Sequence, residues 1–412
     1  MLQNWLLDRF AHQGGLTIVD ANDRVHRPPG QAADPLIVRL RGAWAGWRLL
    51  GDPLLLLGEA YMDGRLVVER GSVHDLLDLG ARRLAAGRTG GIPGPARLAG
   101  WLGRRLHQWN PVGRARRNVA HHYDLSDEFY RLFLDEDRQY SCAYFARPGM
   151  TLDEAQEAKK RHLAAKLLLR PGHRVLDIGS GWGGLGLHLA AETGCGVTGL
   201  TLSTEQLEAS NARARARGLA DRARFRLQDY RAVTGSFDRV VSVGMFEHVG
   251  VNHYRAFFDK LRDLLTPDGV AVLHSIGRAH GPWYTNPFVR KYIFPGGHLP
   301  ALSEVIPMVE RTGLWVTDVE VLRLHYAETL RHWRERFLAN RERAAALYDE
   351  RFCRMWEFYP AASEVFFRRQ DGIVFQLQLA RSRDAVPLTR DYIGEFEHGR
   401  IIPTDAVAQQ AA

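Results

Sequence analysis

"VLDIGSGWGG", Val175–Gly184, decides the fold. A short apolar run, Val175 to Ile178, passes without a break into a glycine-rich turn and then into a helical pattern. That is the written form of a buried strand, a tight turn and a helix start. Glycines at such a turn let the backbone approach a ligand closely and leave helix N–H groups pointing at it.

The same texture repeats on either side. Thr151-x-x-Glu154 is a capping box that opens a helix to about Leu169, stopped by Pro171-Gly172. A helix runs from Gly183 to Glu192, "GVTGL" (196–200) is the next strand, and Ser203-x-x-Gln206 caps a helix to Gly218. Strands follow at "ARFRLQ" (223–228), "RVVSV" (239–243) and "GVAVLHS" (269–275), with a helix from about His253 to Leu265 between the last two. Strands alternating with ten-to-fifteen-residue helices mean βαβ units, hence an α/β fold with a doubly wound, mostly parallel sheet. Beyond Ser275 the pattern loosens into a loop at "YIFPGGHLP" (292–300), an Arg-rich helix over about Glu328–Arg354 and a final strand, "IVFQLQLA" (373–380).

In a doubly wound sheet, ligands bind where the strand order reverses. Spacing alone leaves the ligand open. Gly179, Gly181 and Gly184 fit the dinucleotide pattern, while Gly179, Gly181 and Gly183 fit the loop of S-adenosylmethionine enzymes. The rest of the site favours the methyl donor. The second strand ends "GLTLSTEQ" (199–206), with no carboxylate at its tip for a dinucleotide ribose. "LQDY" (227–230) puts an acid and an aromatic where methyltransferases cradle adenine, and "LLTPDGVAVLHS" (264–275) resembles the late turn and strand of that Rossmann-like fold.

With 412 residues, 45% of them apolar and 25% charged, the chain reads as a soluble globular protein of two unequal domains. No window nears the ~20 apolar residues of a membrane span. The N-terminus has Asp8 early and no basic lead-in, so no signal peptide is expected. Cys142, Cys195 and Cys353 are too few for a disulfide framework and imply a reducing cytoplasm, and no Cys/His spacing suits a metal. The expected domains are a small α+β module over 1–86 ("LTIVDA", "LIVRLRG", "RLVVER"), a basic linker over 87–117, a catalytic domain over 118–395 and a tail over 396–412. The net charge of +8 is concentrated between Ala81 and Arg117, which hold nine arginines and no acid. Such a patch seeks polyanions or is simply solvated. Interleaved Leu98, Trp101, Leu102, Leu106 and Trp109 favour an anionic membrane surface.

Four substrate classes are open to such an enzyme. The Asn/Asp-Pro-Pro-aromatic motif of DNA amino-methyltransferases is missing after the fourth strand, which ends "GMFEHV" (244–249). No Pro-Cys serves an RNA cytosine methyltransferase, and the loops "YSCAYF" (140–145), "GPWYTNPF" (281–288) and "YIFPGG" (292–297) are too apolar for a flipped base, so no nucleic acid is expected. A small-molecule enzyme needs neither the basic segment nor the N-terminal module; a lipid enzyme needs both.

From Val119 to Ala380 the chain is similar to the cyclopropane-fatty-acyl-phospholipid synthase family. "HHYDLSDEFY", "QYSCAYF", "VLDIGSGWGG", "GLTLSTEQ", "SVGMFEHVG", "LHSIG", "KYIFPGGHLP" and "HYAETLRHW" carry the likeness in order. "GEAYMDGRL" (58–66) also resembles the accessory domain of longer members, which implies lipid binding and a homodimer. The resemblance implies a cytoplasmic enzyme at the inner face of the membrane that adds a methylene across the cis double bond of a phospholipid acyl chain. The alkene attacks the sulfonium methyl, and the resulting carbocation loses a proton to close the ring. Aromatic faces stabilise such cations, and Tyr140, Tyr144, Phe145, Phe246 and Trp283 are candidates; Met245 and Phe246 suit the acyl chain. A methyl-branched or methyl-unsaturated product from the same cation is the alternative.

By the same resemblance the base is a bicarbonate ion held by Cys142, Glu247, His274, the backbone of Ile276, and Tyr326. The donor is assigned Tyr140, Ser141, Gly179, Gly181, Gly183, Thr201, Leu202, Gln206, Asp229 and Tyr230. Asp177 braces the glycine loop. Because adjacent side chains diverge, His248 beside Glu247 reads as structural. Some relatives carry a cysteine near the C-terminus where this chain has Ser363 in "AASEVFFRRQDG".

Overall fold

The computed structural model describes residues 7–9, 11–12, 15–28, 36–42, 53–86 and 125–399. The expected linker over 87–117, the basic segment beyond Ala86, the start of the catalytic domain and the tail from Arg400 lie outside the described residues.

The described chain divides into two units. One contains the described residues up to Ala86 together with Thr285–Pro295 and Leu330–Asp371. Its sheet has the order β2-β1-β3-β4, from Thr17–Val19 (β1), Val25–His26 (β2), Ile37–Leu40 (β3) and Leu66–Arg70 (β4). Helices Pro53–Met62, Val73–Ala86 and Glu350–Arg369 complete it. The sequence boundary at residue 86 is thereby corrected: two segments from the catalytic half of the chain belong with the N-terminal elements. Asp78 on the Val73–Ala86 helix accepts from Arg369 Nε at 2.6 Å. Glu59 accepts from Lys291 Nζ at 2.6 Å and Tyr292 Oη at 2.8 Å.

The other unit carries the site. Seven strands are ordered β10-β11-β9-β8-β5-β6-β7: Arg174–Ile178 (β5), Gly196–Thr201 (β6), Ala223–Leu227 (β7), Phe237–Val243 (β8), Leu265–Arg278 (β9), Trp315–Val321 (β10) and Gly372–Ala380 (β11). The β9–β8–β5–β6–β7 run is parallel, and β11 lies antiparallel between β9 and β10. Alternate residues serve opposite faces, as a strand's period of two requires. Leu176, Val240 and Leu273 pack with Phe257 and Leu261 of the Tyr254–Leu264 helix. Val175, Val241 and Val272 pack with Leu163, Leu185 and Leu189 on the other side. Burying each such side chain is worth about 1.5–3 kcal/mol.

Local chemistry sets the helix starts. Thr151 and Glu154 form the expected capping box on Leu152–Lys166. Ser203 Oγ caps Thr204–Ala216 by accepting from Gln206 N at 3.3 Å. In place of one Arg-rich helix over 328–354, the chain forms three: His325–Ala339, Arg341–Leu347 and Glu350–Arg369. Asn340 interrupts the first pair, and Asp349 restarts the third by accepting from Phe352 N at 2.7 Å.

Candidate active site

Strand order reverses between β5 and β8, and a cavity opens at their C-terminal ends. Its floor is the turn after β5. Gly179 (φ 86°) and Gly181 (φ 54°) both lie in the left-handed region and line the cavity. Gly179 and Ser180 anchor the turn by donating to Leu200 O at 3.0 and 2.8 Å. A Cβ on Gly179 would stand 2.9 Å from Met245 Cβ, so glycine is what allows the turn to touch the tip of β8. Gly183 sits elsewhere. It is the left-handed N-cap of the Gly184–Thr193 helix, where a Cβ would meet Ser210 Cβ at 2.7 Å and Phe225 Cζ at 2.8 Å. It packs the helix and is not among the cavity-lining residues.

Tyr140, Ser141, Thr201, Leu202, Gln206, Asp229 and Tyr230 all line the cavity. Its polar groups suit a polar donor. Gln206 Oε1 accepts from Thr201 Oγ1 at 2.7 Å, which leaves Gln206 Nε2 buried without a partner among the described residues. Asp177 Oδ2 is likewise buried and unpartnered, and burial pushes its carboxyl up to about 7. Unmet groups of this kind are rare in native interiors and mark a place for a ligand or water. Asp229 already holds Arg231, whose Nε and Nη2 donate to it at 2.9 and 2.7 Å. The tip of β6 presents a hydroxyl and an amide where a dinucleotide site would need a carboxylate. The set fits S-adenosylmethionine.

Glu247 and His248 part company as adjacent residues should. Met245 and His248 line the donor cavity, and burial lowers the His248 imidazole to about 4, so it is neutral. Glu247 turns toward β9, where its Oε1 accepts from Ile276 N at 2.7 Å. The Ile276 amide, expected to face the bicarbonate, is therefore engaged by Glu247. Glu247 Oε2 is buried without a partner among the described residues, and burial pushes the carboxyl up to about 7.

His274 lies two residues before Ile276, on the same face of β9. Its Nδ1 is 3.2 Å from Gln376 Nε2, and its Nε2 is buried and unpartnered. Burial, aided by the charges of Lys159, Lys166 and His162, holds it well below the usual histidine range. Cys142 is buried, its thiol 3.3 Å from Ala143 O, and burial raises its pKa so that it stays a thiol. Tyr326, also buried, lies in the first turn of the His325–Ala339 helix. Thr329 from the next turn accepts from Ala143 N at 3.0 Å, which ties that helix to the segment bearing Cys142.

The aromatic candidates separate. Tyr140 lines the cavity. Phe246 is fully buried and stacked on Tyr254 at 4.4 Å, packed with Phe257 and Phe258; it is core, and the expectation that it meets the acyl chain is corrected. Tyr144 is sandwiched between His162 (4.3 Å) and His325 (5.1 Å), both rings nearly parallel to it. Phe145 N donates to His325 Nδ1 at 2.9 Å, and Trp283 stacks on Tyr284 at 5.5 Å. Ser363 lies in the Glu350–Arg369 helix of the other unit.

Three residues escaped the sequence reading. Arg138 lines the cavity in a left-handed conformation (φ 58°). Gln156 and Lys159 are buried on the Leu152–Lys166 helix and bond to the cavity-lining segment before Cys142. The available signal was polar residues at i and i+3 on a face that otherwise reads as core, in "AQEAKK" (155–160).

Several known proteins resemble this chain in sequence and fold. A protein of Pseudomonas putida named "Probable fatty acid methyltransferase" is 43% identical over 274 residues, 65% of this chain and 68% of that protein. The cyclopropane-fatty-acyl-phospholipid synthase of Escherichia coli (strain K12) is 37% identical over 352 residues, 84% of this chain and 88% of that protein. The solved structure of mycolic acid cyclopropane synthase CmaA1, complexed with SAH and CTAB, superposes with a TM-score of 0.62 at 36% identity, covering 66% of this chain and 99% of that one. Residues 112–377, well over half of the chain, match the family described as mycolic acid cyclopropane synthetase. The chain belongs to that family and is an S-adenosylmethionine-dependent lipid methyltransferase.

Proposed function

We propose that this enzyme cyclopropanates unsaturated acyl chains of phospholipids at an anionic membrane surface. The observation that carries the reading is a pair of buried polar atoms without partners among the described residues, Glu247 Oε2 and His274 Nε2, brought to one stretch of β9 by the Glu247 bond to Ile276 N. Leaving such groups unmet costs about 1–3 kcal/mol each, and a small polar ion between them would relieve both. Bicarbonate held there supplies an anionic base for the proton shed as the ring closes. Neutral His274 donates or accepts through Nε2 according to its tautomer. Glu247, poised near neutrality, accepts through Oε2 when ionised and donates from it when protonated. Bound S-adenosylmethionine supplies an electrophilic methyl group. Gln206 Nε2, Asp177 Oδ2, Tyr140 and Ser141 hold and orient it, while the Gly179 turn keeps backbone close and water out.

The Escherichia coli relative supports the lipid reading, because its likeness spans 84% of the chain. No described helix is long and apolar enough to cross a membrane. The Pseudomonas putida relative favours a second reading, a methyl-branched or methyl-unsaturated product from the same cation.

Mass spectrometry of lipids from a host expressing the protein decides the first point: phospholipids should gain the mass of one CH2, and no gain with any unsaturated phospholipid would sink both readings. Proton NMR then separates the products, since only cyclopropanation gives ring protons. Glu247→Gln should cut turnover roughly 10²–10⁴-fold and leave binding of S-adenosylhomocysteine nearly intact. Vesicle binding should weaken as salt rises, because exposed charges are screened.

A further inference from the structure

The Leu152–Lys166 helix presents Gln156 and Lys159 to the segment 139–142. Gln156 Nε2 donates to the carbonyls of Gln139 (3.2 Å) and Ser141 (3.0 Å). Lys159 Nζ donates to Gln139 Oε1 and Ser141 Oγ, both at 2.8 Å. Gln139, Tyr140 and Ser141 line the donor cavity, and Cys142 follows directly. One helix face thus fixes the wall between the donor and the expected base.

Lys159 differs from its neighbours on this helix. Lys160 pairs with Asp137 and Glu157, and Lys166 with Asp318 and Glu320. Both Lys159 acceptors are neutral, and no carboxylate lies within 4.0 Å of it among the described residues. Its side chain is completely buried. Burial pulls the ammonium down to about 8 against the attraction of Asp135, which still leaves it mostly charged at neutral pH. The carboxylates of Asp135, Asp137 and Asp177 attract it only at longer range. A buried cation with no counter-ion in contact is costly, and such charges are retained where something offsets them. The field of Lys159 reaches both His274 and Cys142, lowering the proton affinity of each. Those two groups are neutral, so they bring no negative charge of their own.

We propose that Lys159 is a positioning residue whose buried ammonium is the counter-charge for the anion bound near Cys142 and His274, while its hydrogen bonds hold the Ser141 wall in place. This rests on the bicarbonate reading above. Acting across Ser141 without touching the anion, the ammonium holds it in a low-dielectric site and takes up none of the lone pairs needed for proton transfer.

The test is binding of isotopically labelled bicarbonate by NMR, with S-adenosylhomocysteine affinity by calorimetry and turnover measured alongside. Lys159→Met should weaken bicarbonate binding roughly tenfold or more while S-adenosylhomocysteine affinity stays within about threefold, a brace being easier to replace than a charge. Gln156→Ala removes bonds to the wall but leaves the charge, and should weaken bicarbonate clearly less than Lys159→Met does; an equal loss overturns the proposal. A Lys159→Met variant that binds bicarbonate as the wild type does overturns the proposal. So does one that loses S-adenosylhomocysteine in step with bicarbonate, since Lys159 would then only brace the donor wall. If Lys159→Met does not fold, Lys159→Arg decides: it keeps the charge but not both hydrogen bonds. Unchanged bicarbonate affinity then supports the proposal, and a tenfold loss overturns it. A wild type that neither binds bicarbonate nor needs it overturns the base reading itself, whatever Lys159 does.

Discussion

Glu247 shows how much one residue can reveal and how much it withholds. Its place at the end of an apolar strand was legible, because no strand tip in a core gains from a bare carboxylate. That adjacent side chains diverge was legible too. Which partner each would meet was not, since the Ile276 amide and the donor cavity belong to segments brought together only by the sheet. Burial raises the Glu247 carboxyl from its ordinary value to about 7. The folded state therefore holds this proton at pH values where the unfolded chain has released it. The stability it contributes is complete below about pH 4.5 and is lost as pH rises to about 7, a change of roughly 3 kcal/mol. Glu247→Gln removes the penalty. In ligand-free protein its melting temperature, compared with wild type, should gain ground between pH 5 and 8. A difference independent of pH would mean that burial does not govern this carboxyl.

At the scale of elements, the parallel strands and their helices were readable because each βαβ unit is local: an apolar run, a cap, and a helix of matching length. At the antiparallel edge, β11 was readable as a final strand but β10 and the pairing of the two were not. β10, "WVTDVEV" (315–321), alternates apolar and charged residues and leaves Trp315 51% exposed, so its pattern is that of a surface segment. Its partner β11 follows some fifty residues later, and β11 hides Gln376 and Gln378 inside an otherwise apolar strand. Those glutamines are affordable because His274, Lys166 O and Tyr392 Oη partner them, which no local pattern announces. The glycine turn shows a finer division. Gly179 and Gly183 belong to one motif, yet one lines the cavity and the other seats a helix. Gly183→Ala should cost roughly 2–5 kcal/mol, from left-handed strain and overpacking against Phe225, seen as a lower melting temperature. Gly179→Ala carries comparable strain, with its Cβ 2.9 Å from Met245 Cβ, and should in addition weaken S-adenosylhomocysteine roughly tenfold or more in calorimetry. A loss of ligand affinity with Gly183→Ala but not with Gly179→Ala would show that the roles are reversed.

For the whole molecule, the sequence suggested an accessory module ending near residue 86 and a separate catalytic domain. The chain is drawn differently: Leu330–Asp371 leaves the seven-stranded sheet after β10, builds the N-terminal unit and returns as β11. The Glu350–Arg369 helix places Phe358 against Tyr61 (6.2 Å) and Phe288 (4.8 Å). A Cβ on Gly58 would fall 2.3 Å from Phe288, so the Pro53–Met62 helix is packed tightly here. Glu364, on the same helix, is 2% exposed and lies 3.5 Å from His74 Nε2, 3.1 Å from Arg334 Nη2 and 2.9 Å from Arg368 Nε. Despite burial, these partners hold its carboxyl at about 2. Its contribution is thus present above about pH 4.5 and lost as pH falls toward 2. Glu364→Ala leaves Arg334 and Arg368 without their buried anion and should cost roughly 3–5 kcal/mol, whereas Asp78→Ala at the more exposed Arg369 pair should cost about 1 kcal/mol or less. By the same reasoning, deleting the residues before 118 should not release a sound catalytic domain. It strips the partners from Tyr359's helix and exposes Trp356, Phe358 and Val365, which are buried in the intact chain. The truncated protein should bind a hydrophobic dye and aggregate on size-exclusion chromatography. A monodisperse truncation that melts in one sharp transition would refute this, and would show that Leu330–Asp371 can bury its apolar face without the N-terminal elements.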